Sequence, residues 1–131
     1  NIVKVGQKNV PGKVFKVGTN GFRWGVMNAV PKARHASIYA QALFDSGRVY
    51  HDLANPDAID ESKVNVPTLT IGAKKDRATV IKAVRKVGEK YAKAARPGDY
   101  IEYGRHAHWI VDEPGTEQVS ADILEWLDEK L

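Results

Sequence analysis

Two side chains capable of acid–base chemistry follow two apolar segments in the second half of the sequence. Asp76 comes four residues after Gly72, which ends the apolar segment 64–72, and His108 follows the segment 99–103. A carboxylate and an imidazole at the carboxyl ends of parallel strands are two of the three members of an acyl-transfer triad. The imidazole takes a proton from the nucleophile, and the carboxylate fixes the tautomer of the imidazole. We therefore predict that His108 is a general base and that Asp76 orients it.

The third member of such a triad, the nucleophile, has no candidate in this sequence. There is no cysteine and no Gly-x-Ser-x-Gly, the motif that exposes a reactive hydroxyl on a sharp strand–turn–helix connection. None of the serines is predicted to lie on a turn of that kind (Ser37, Ser46, Ser62 and Ser120). We therefore assign the role of nucleophile to none of these residues.

Both candidate residues also have simpler structural interpretations. Asp76 precedes a predicted helix, and an aspartate there can act as an N-cap by accepting hydrogen bonds from free backbone N–H groups. His106 lies two residues before His108, and a His-x-His pair could ligate a metal, although no further ligand has a supporting spacing. We expect no metal and no other cofactor, and we interpret His35 and His51 as polar surface residues.

The composition is that of an ordinary globular domain. The chain has 131 residues, of which 43% are hydrophobic and 27% are charged, and this length fits one domain. No apolar run approaches the roughly 18 residues needed to cross a bilayer, and the first residues do not have the layout of a signal peptide. The lack of cysteine excludes disulfides and fits a reducing compartment, so we expect a cytoplasmic protein with no membrane partner.

The net charge of +4 raises the question of nucleic-acid binding. The lysines and arginines are spread along the chain, and their densest stretch, residues 82–93, falls on the predicted solvent face of a helix. A solvated helix face explains that stretch more simply than a phosphate-binding patch does. No aromatic residues are interleaved for base stacking. We expect no nucleic-acid partner, whereas nucleic-acid binding would predict affinity that falls steeply with salt.

The first part of the chain divides into extended segments and a helical lobe. Residues 1–19 carry two alternating β-branched runs with turn residues between them, which predicts extended lead-in segments. Residues 20–55 carry an apolar cluster that stops at Pro31, followed by a short amphipathic helix predicted to end at Ser46 and Gly47. We predict that residues 20–55 form a cap-like lobe.

The exposed apolar residues of this lobe have two interpretations. Either they pack on the core, or they cover a pocket, and the pattern alone supports both equally. If the lobe covers a pocket beside His108, the side chains expected to contact a substrate are Phe22, Trp24 and Met27, together with Trp109 from the histidine loop.

Residues 56–131 are predicted to form a strand, a helix, a strand and a helix. The strand 64–72 lacks polar alternation, which predicts that both of its faces are covered. A helix is predicted from Asp76 to about Ala95, with a buried stripe of Val80, Val84, Val87 and Tyr91. Gly88 within it is unfavourable by about 1 kcal/mol relative to alanine.

The second strand of this part is predicted at residues 99–103, and a final helix follows it. Thr116 is predicted to cap that helix, whose buried stripe is Val119, Ile123, Trp126 and Leu127. A strand–helix–strand order requires a parallel crossover, and active sites of such sheets lie at the carboxyl ends of the strands. Asp76 and His108 both fall at those ends.

Together these segments resemble the carboxyl-terminal half of an α/β-hydrolase. Residues 66–72 with Asp76 resemble the penultimate strand and acid loop of that family, and residues 104–109 resemble the loop that bears its histidine. The stretch from Glu113 to Leu127 resembles the closing helix, and residues 10–53 resemble the small helical cap inserted after the sixth strand. The resemblance covers nearly the whole chain from about residue 10.

The resemblance implies a serine-type hydrolase of esters or related acyl compounds, with a partial parallel α/β sheet and a small helical cap. The family orders its triad as nucleophile, acid and histidine, so the nucleophile would precede Asn1. The central strands would come from a complementary N-terminal chain or a second copy, because strand 64–72 and the last helix would otherwise expose apolar faces. The implied substrate is a small hydrophobic ester. The alternative is a non-catalytic α/β-hydrolase-like fragment or minimal domain that acts through oligomerisation.

Overall fold

A computed structural model of the chain describes residues 13–54 and 59–131, and it has a mixed α/β fold with small sheets. The predicted extended segments before residue 13 lie outside the described residues. The strands are β1 (Val14–Phe15), β2 (Asp45–Ser46), β3 (Leu69–Ala73) and β4 (Asp99–Tyr103). The helices are α1 (Thr19–Gly25), α2 (His35–Gln41), α3 (Gly47–Ala54), α4 (Ile81–Tyr91) and α5 (Thr116–Lys130), with 3₁₀ turns at Lys32–Arg34 and Glu61–Lys63. Among the described residues, no helix is long and apolar enough to span a lipid bilayer.

The candidate site is positioned by a parallel crossover formed by β3, α4 and β4. The two strands pair in parallel from Leu69 opposite Asp99 to Ala73 opposite Tyr103, and α4 packs on β3. This is the connection that the order of elements predicts. Because the strands run in the same direction and end in register, the loops that follow Ala73 and Tyr103 leave the sheet side by side.

The helix of the crossover is shorter than the sequence predicts. It begins at Ile81 rather than Asp76 and ends at Tyr91 rather than near Ala95. The carboxylate of Asp76 accepts hydrogen bonds from the backbone N–H groups of the two residues at positions 78 and 79, and this turn replaces the predicted first helical turn. The helix therefore starts only after the candidate acid has been fixed in a loop.

The inner face of α4 also differs from the predicted stripe. Val84 and Tyr91 are half-buried, but Val80 and Val87 are 58% and 43% exposed. Gly88 is buried, and a Cβ atom built on it would lie 2.7 Å from Cδ2 of Tyr100 in β4. The helix therefore approaches the sheet most closely at its glycine, which makes room for the tyrosine ring.

The apolar segment before β3 and the last helix are less covered than predicted. β3 begins at Leu69 rather than residue 64, and its first three residues are only half-buried. In α5, Val119 is buried, whereas the other residues of the predicted stripe are half-buried (Ile123, Trp126 and Leu127). Gly115, with a left-handed φ of 96°, occupies the N-cap position predicted for Thr116. The Thr116 hydroxyl instead accepts a hydrogen bond from the N–H of Glu113 at 2.9 Å.

The helical lobe packs directly over the two loops. Its core consists of Met27, Val30 and Ile38, and the partly buried side chains packed on it include Trp109 of the histidine loop. The side-chain amide of Asn28 donates to the carbonyl of Lys75 in the acid loop at 2.9 Å. An ion pair between Arg34 and Asp112 ties the lobe to the segment after the histidine loop.

The helix that was predicted to end at Ser46 and Gly47 ends at Gln41. Val14 pairs with Ser46 in an antiparallel ladder, and the N–H of Gly47 donates to the carbonyl of Lys13 at 2.8 Å. Gly47 then begins α3 rather than ending α2. The strand pairing between β1 and β2 thus takes the residues that the sequence pattern assigned to the end of a helix.

Candidate functional site

Asp76 and His108 are hydrogen-bonded to each other at the carboxyl ends of β3 and β4. The Nδ1 atom of His108 lies 2.9 Å from Oδ2 of Asp76. A carboxylate can only accept a hydrogen bond, so Nδ1 carries the proton and Nε2 is left as the acceptor of the neutral ring. The Asp76 side chain is 11% exposed and that of His108 is 37% exposed. This is the arrangement in which a carboxylate orients a general base.

The second oxygen of Asp76 is held by the backbone of its own loop. Oδ1 accepts hydrogen bonds from the N–H groups of Ala78 at 2.7 Å and Thr79 at 2.8 Å. Asp76 is therefore not the N-cap of the helix, a position that Val80 occupies; one of its oxygens binds the loop backbone and the other lies against His108. The backbone bonds fix the plane of the carboxylate and so direct Oδ2 at His108.

Backbone hydrogen bonds continue the strand pairing into the two loops. The N–H of Lys74 donates to the carbonyl of Tyr103 at 3.0 Å, and the N–H of Lys75 donates to that of His106 at 2.9 Å. These bonds join the acid loop to the histidine loop immediately before the candidate pair. The distance between Asp76 and His108 is thus set by main-chain contacts as well as by their own hydrogen bond.

The side chains of His106 and Glu113 form a buried hydrogen-bonded pair that stabilises the histidine loop. Their side chains are 8% and 1% exposed, and Nδ1 of His106 lies 2.9 Å from Oε1 of Glu113. The same Oε1 accepts the N–H of Ala107 at 2.5 Å. No sequence pattern predicts this role of Glu113, because the contact joins two loop residues. His106 and His108 engage different carboxylates, and the described residues contain no group of three metal-ligating side chains.

The strand ends carry two further polar contacts. Tyr103 donates its hydroxyl proton to Asp122 of α5 at 2.6 Å, and burial followed by this hydrogen bond raises the pKa of Tyr103 to about 12. Glu102 receives two hydrogen bonds of 2.8 Å from Arg85 of α4. These bonds, with one from Tyr100, lower the pKa of Glu102 to about 2. Both contacts tie β4 to a helix next to the candidate site.

A cavity of about 620 Å³ lies between the lobe and the histidine loop, and His108 is part of its wall. The remaining wall is mostly apolar and includes Val17, Phe22, Trp24, Val26, Tyr50 and Trp109. No serine or threonine is among the described residues that line it. His108 thus lines a space of the size and polarity typical of small-molecule sites.

The four residues predicted to contact a substrate occupy two different environments. Phe22, Trp24 and Trp109 line the cavity, and the rings of Phe22 and Trp109 meet edge to face with centroids 6.1 Å apart. Met27 is fully buried in the core of the lobe and does not line the cavity. Its side chain instead fills the space beneath the aromatic wall.

The predicted serine nucleophile remains without a candidate among the described residues. The hydroxyl of Ser37 donates to the carbonyl of Arg34 at 2.9 Å, and that of Ser62 donates to Asp60 at 2.5 Å. No described residue forms a hydrogen bond with Nε2 of His108. The site therefore consists of an oriented imidazole that faces a cavity, with no hydroxyl of the described residues held against it.

Neither a scan against models of known protein families nor a search of curated proteins finds a match for this chain.

Proposed function

We propose that this chain is the acid- and histidine-bearing part of a serine-type α/β-hydrolase that cleaves esters or related acyl compounds. The observation that carries the proposal is the 2.9 Å hydrogen bond between His108 Nδ1 and Asp76 Oδ2 at the ends of two neighbouring parallel strands. An ordinary ion pair on the surface requires neither a carboxylate held by backbone hydrogen bonds nor an adjacent cavity. Here the carboxylate is fixed by its own loop, and His108 lines a mostly apolar cavity.

In the proposed reaction, Nε2 of His108 takes the proton of a serine hydroxyl as that oxygen attacks the acyl carbon. Asp76 stabilises the imidazolium that forms. The imidazolium returns the proton to the leaving alkoxide, which departs as an alcohol and leaves an acyl-enzyme. Water then attacks the acyl-enzyme with His108 again as base, which releases the carboxylic acid and restores the serine.

The cavity supports a substrate with an apolar acyl or alcohol portion. Phe22, Trp24 and Trp109 present aromatic surface beside His108, and burial of such surface against an apolar ligand is favourable. We propose that these three side chains bind the substrate and that Met27 supports them from within the lobe.

The nucleophile and the remaining sheet would come from a complementary N-terminal chain segment or from a second copy. Two features favour such a partner. Leu124 of α5 is 62% exposed, and Val66 beside β3 is 59% exposed. In addition, β3 and β4 form a two-stranded sheet within the described residues, and small sheets of this kind are marginal alone.

The proposal is tested on the full product of the gene, isolated with any chain that copurifies with it. We expect a fluorophosphonate probe, which reacts with activated serines, to label one serine in that material. His108→Ala should abolish labelling, and Asp76→Asn should lower it strongly. The matched control is His51→Ala, which changes an exposed histidine of α3 and should leave labelling unchanged. Labelling that persists in His108→Ala, or the lack of any labelled serine, contradicts the proposal.

The second candidate is a non-catalytic domain that acts through self-assembly, and the exposed apolar residues beside the sheet are what favour it. It predicts a stable homo-oligomer by sedimentation or light scattering and no reaction with the serine probe. Replacement of Leu124 by glutamate, which places a charge on the exposed face of α5, should dissociate that oligomer. Probe labelling that depends on His108 would exclude this alternative.

A further inference from the structure

A second cleft, of about 860 Å³, lies on the other side of Trp24 and is rich in positive charge. Its polar and charged wall residues are Asn20, Arg23, Asn28, Lys32, His35 and Arg77. Three of these are permanent or near-permanent cations, and no aspartate or glutamate is among the described residues that line the cleft. Concave surfaces lined by one sign of charge concentrate ligands of the opposite sign.

The cations of this cleft are not neutralised within the described part of the chain. The ion pairs of the described residues join residues outside the cleft wall, as between Arg85 and Glu102. Arg23, Lys32 and Arg77 form none with a described residue. Three cations around one concavity, with no acidic wall residue beside them, favour the approach of an anion. The two guanidinium groups suit the planar or tetrahedral oxygens of carboxylate and phosphate.

The cleft and the apolar cavity share two wall residues, Trp24 and Arg77. The guanidinium carbon of Arg77 lies 5.3 Å from the centre of the Trp24 ring, within the range of a cation–π contact. Arg77 also directly follows the candidate acid in the chain. The positive cleft therefore borders the cavity that His108 lines, and Trp24 and Arg77 belong to the walls of both.

We infer that the two spaces bind one ligand, whose apolar part occupies the cavity beside His108 and whose anionic group, a carboxylate or phosphate, occupies the cleft. This inference rests on the proposed function and narrows its substrate class to esters or acyl compounds that bear a negative charge away from the reacting bond. Arg23, Lys32 and Arg77 are then specificity-determining residues.

Binding of unreactive probes to the chain tests the inference without any catalytic step. The probes are 4-phenylbutyrate and its neutral analogue 4-phenylbutyramide, with affinities measured by titration calorimetry. We expect the carboxylate to bind at least about ten-fold more tightly than the amide, since hydrogen bonds to an ionised group are roughly twice as strong as those between neutral groups. Arg77→Gln and Lys32→Gln should each reduce that ratio at least about three-fold. Lys86→Gln, which removes an equal charge from the exposed face of α4, should leave the ratio unchanged.

Inorganic phosphate separates the two sources of the anionic group. Competition by phosphate for the carboxylate probe supports a site for oxyanions in general, and a lack of competition supports a site for carboxylates. Equal binding of acid and amide, no binding of either, or equal effects of Lys32→Gln and Lys86→Gln would overturn the inference. This experiment and the serine-probe experiment can fail separately, because binding of an unreactive probe requires no nucleophile.

Discussion

Replacement of Asp76 by asparagine should reverse the tautomer of His108. The amide has one acceptor oxygen and one NH₂ donor in place of two equivalent oxygens. The N–H groups of Ala78 and Thr79 both point at the position of Oδ1, at 2.7 and 2.8 Å, so the amide oxygen must take that position. The NH₂ group is then placed 2.9 Å from Nδ1 of His108, which must become an acceptor. The ring proton therefore moves to Nε2.

The size of this preference follows from the alternative orientation of the amide. A flipped amide would keep the bond from Nδ1–H of His108 but would turn its NH₂ group against the two backbone donors. Each backbone donor left without an acceptor costs about 1–3 kcal/mol. Ala78 is half-buried and Thr79 is exposed, so we take the lower value of about 1 kcal/mol for each donor. The flipped state is thus disfavoured by about 2 kcal/mol, or about 30-fold.

Long-range ¹H–¹⁵N correlation spectra of the imidazole rings measure the tautomer directly, at a pH well above the ordinary histidine pKa of about 6.5. The chain has four histidines, and two of them serve as internal references. His106 faces Glu113 through Nδ1 and should show the Nδ1–H form, whereas Nε2 of His35 faces the carbonyl of Val30 and should show the Nε2–H form. The signals of His108 are assigned from their loss in His108→Gln.

We expect the pattern of His108 alone to change from Nδ1–H to Nε2–H in Asp76→Asn. The matched control, Asp128→Asn on the exposed side of α5, should change none of the four rings. If His108 keeps its Nδ1 proton in Asp76→Asn, or if the wild-type ring already carries the proton on Nε2, the reasoning is refuted. In a complete triad, the same change lowers kcat by about 10⁴, because the ring can no longer accept the proton of the nucleophile.

Three further predictions concern the elements that hold the site. Gly88→Ala should lower the free energy of unfolding by about 1 kcal/mol, since the clash of the new Cβ, 2.7 Å from the Tyr100 ring, costs about 1–3 kcal/mol and exceeds the gain in helix propensity of about 1 kcal/mol. In a Tyr100→Ala background, urea titrations should show that the same change raises the free energy of unfolding by about 1 kcal/mol. Stabilisation in both backgrounds would contradict the close contact between Gly88 and Tyr100. Glu102→Gln should lower the urea midpoint at neutral pH. Because Arg85 holds the pKa of Glu102 at about 2 rather than the ordinary 4.5, the difference between wild type and variant should shrink as the pH falls through that window, and a difference that is constant with pH would exclude the effect. Glu113→Ala should destabilise the chain by about 3 kcal/mol, because it leaves the ring of its histidine partner and a backbone N–H buried without an acceptor. A loss below about 1 kcal/mol would show that water replaces the carboxylate.

The sequence alone predicted that Asp76 and His108 lie close together after two neighbouring parallel strands. The prediction succeeded because a parallel crossover leaves little freedom in where its two loops emerge, and β4 was recovered at its predicted bounds of 99–103. Asp76 and His108 are close because the strands end in register, at Ala73 and Tyr103. A pattern of apolar residues is enough to indicate that geometry.

The contacts that the sequence did not reveal are those between segments distant in the chain. The pairing of β1 with β2 overrode the predicted helix end at Gly47, since each residue of this two-residue ladder depends on a partner 30 or 32 positions away. The close approach of Gly88 to Tyr100 reversed the apparent disadvantage of a glycine in α4. Neither contact has a local signature, because each depends on where a remote side chain or strand happens to lie.

The geometry of the candidate pair depends little on the parts of the sheet that remain exposed. Asp76 is oriented by its own loop, and the loop of His108 is joined to it through the bond from Lys75 N–H to the carbonyl of His106. None of these contacts involves the half-buried residues of α5 or the start of β3. Addition of further strands would therefore bring a nucleophile to an imidazole that is already oriented. The tautomer of His108 should accordingly be the same in the isolated chain and in any complex that completes the sheet, and the ¹⁵N spectra of the two would reveal a difference if the partner were needed to form the pair.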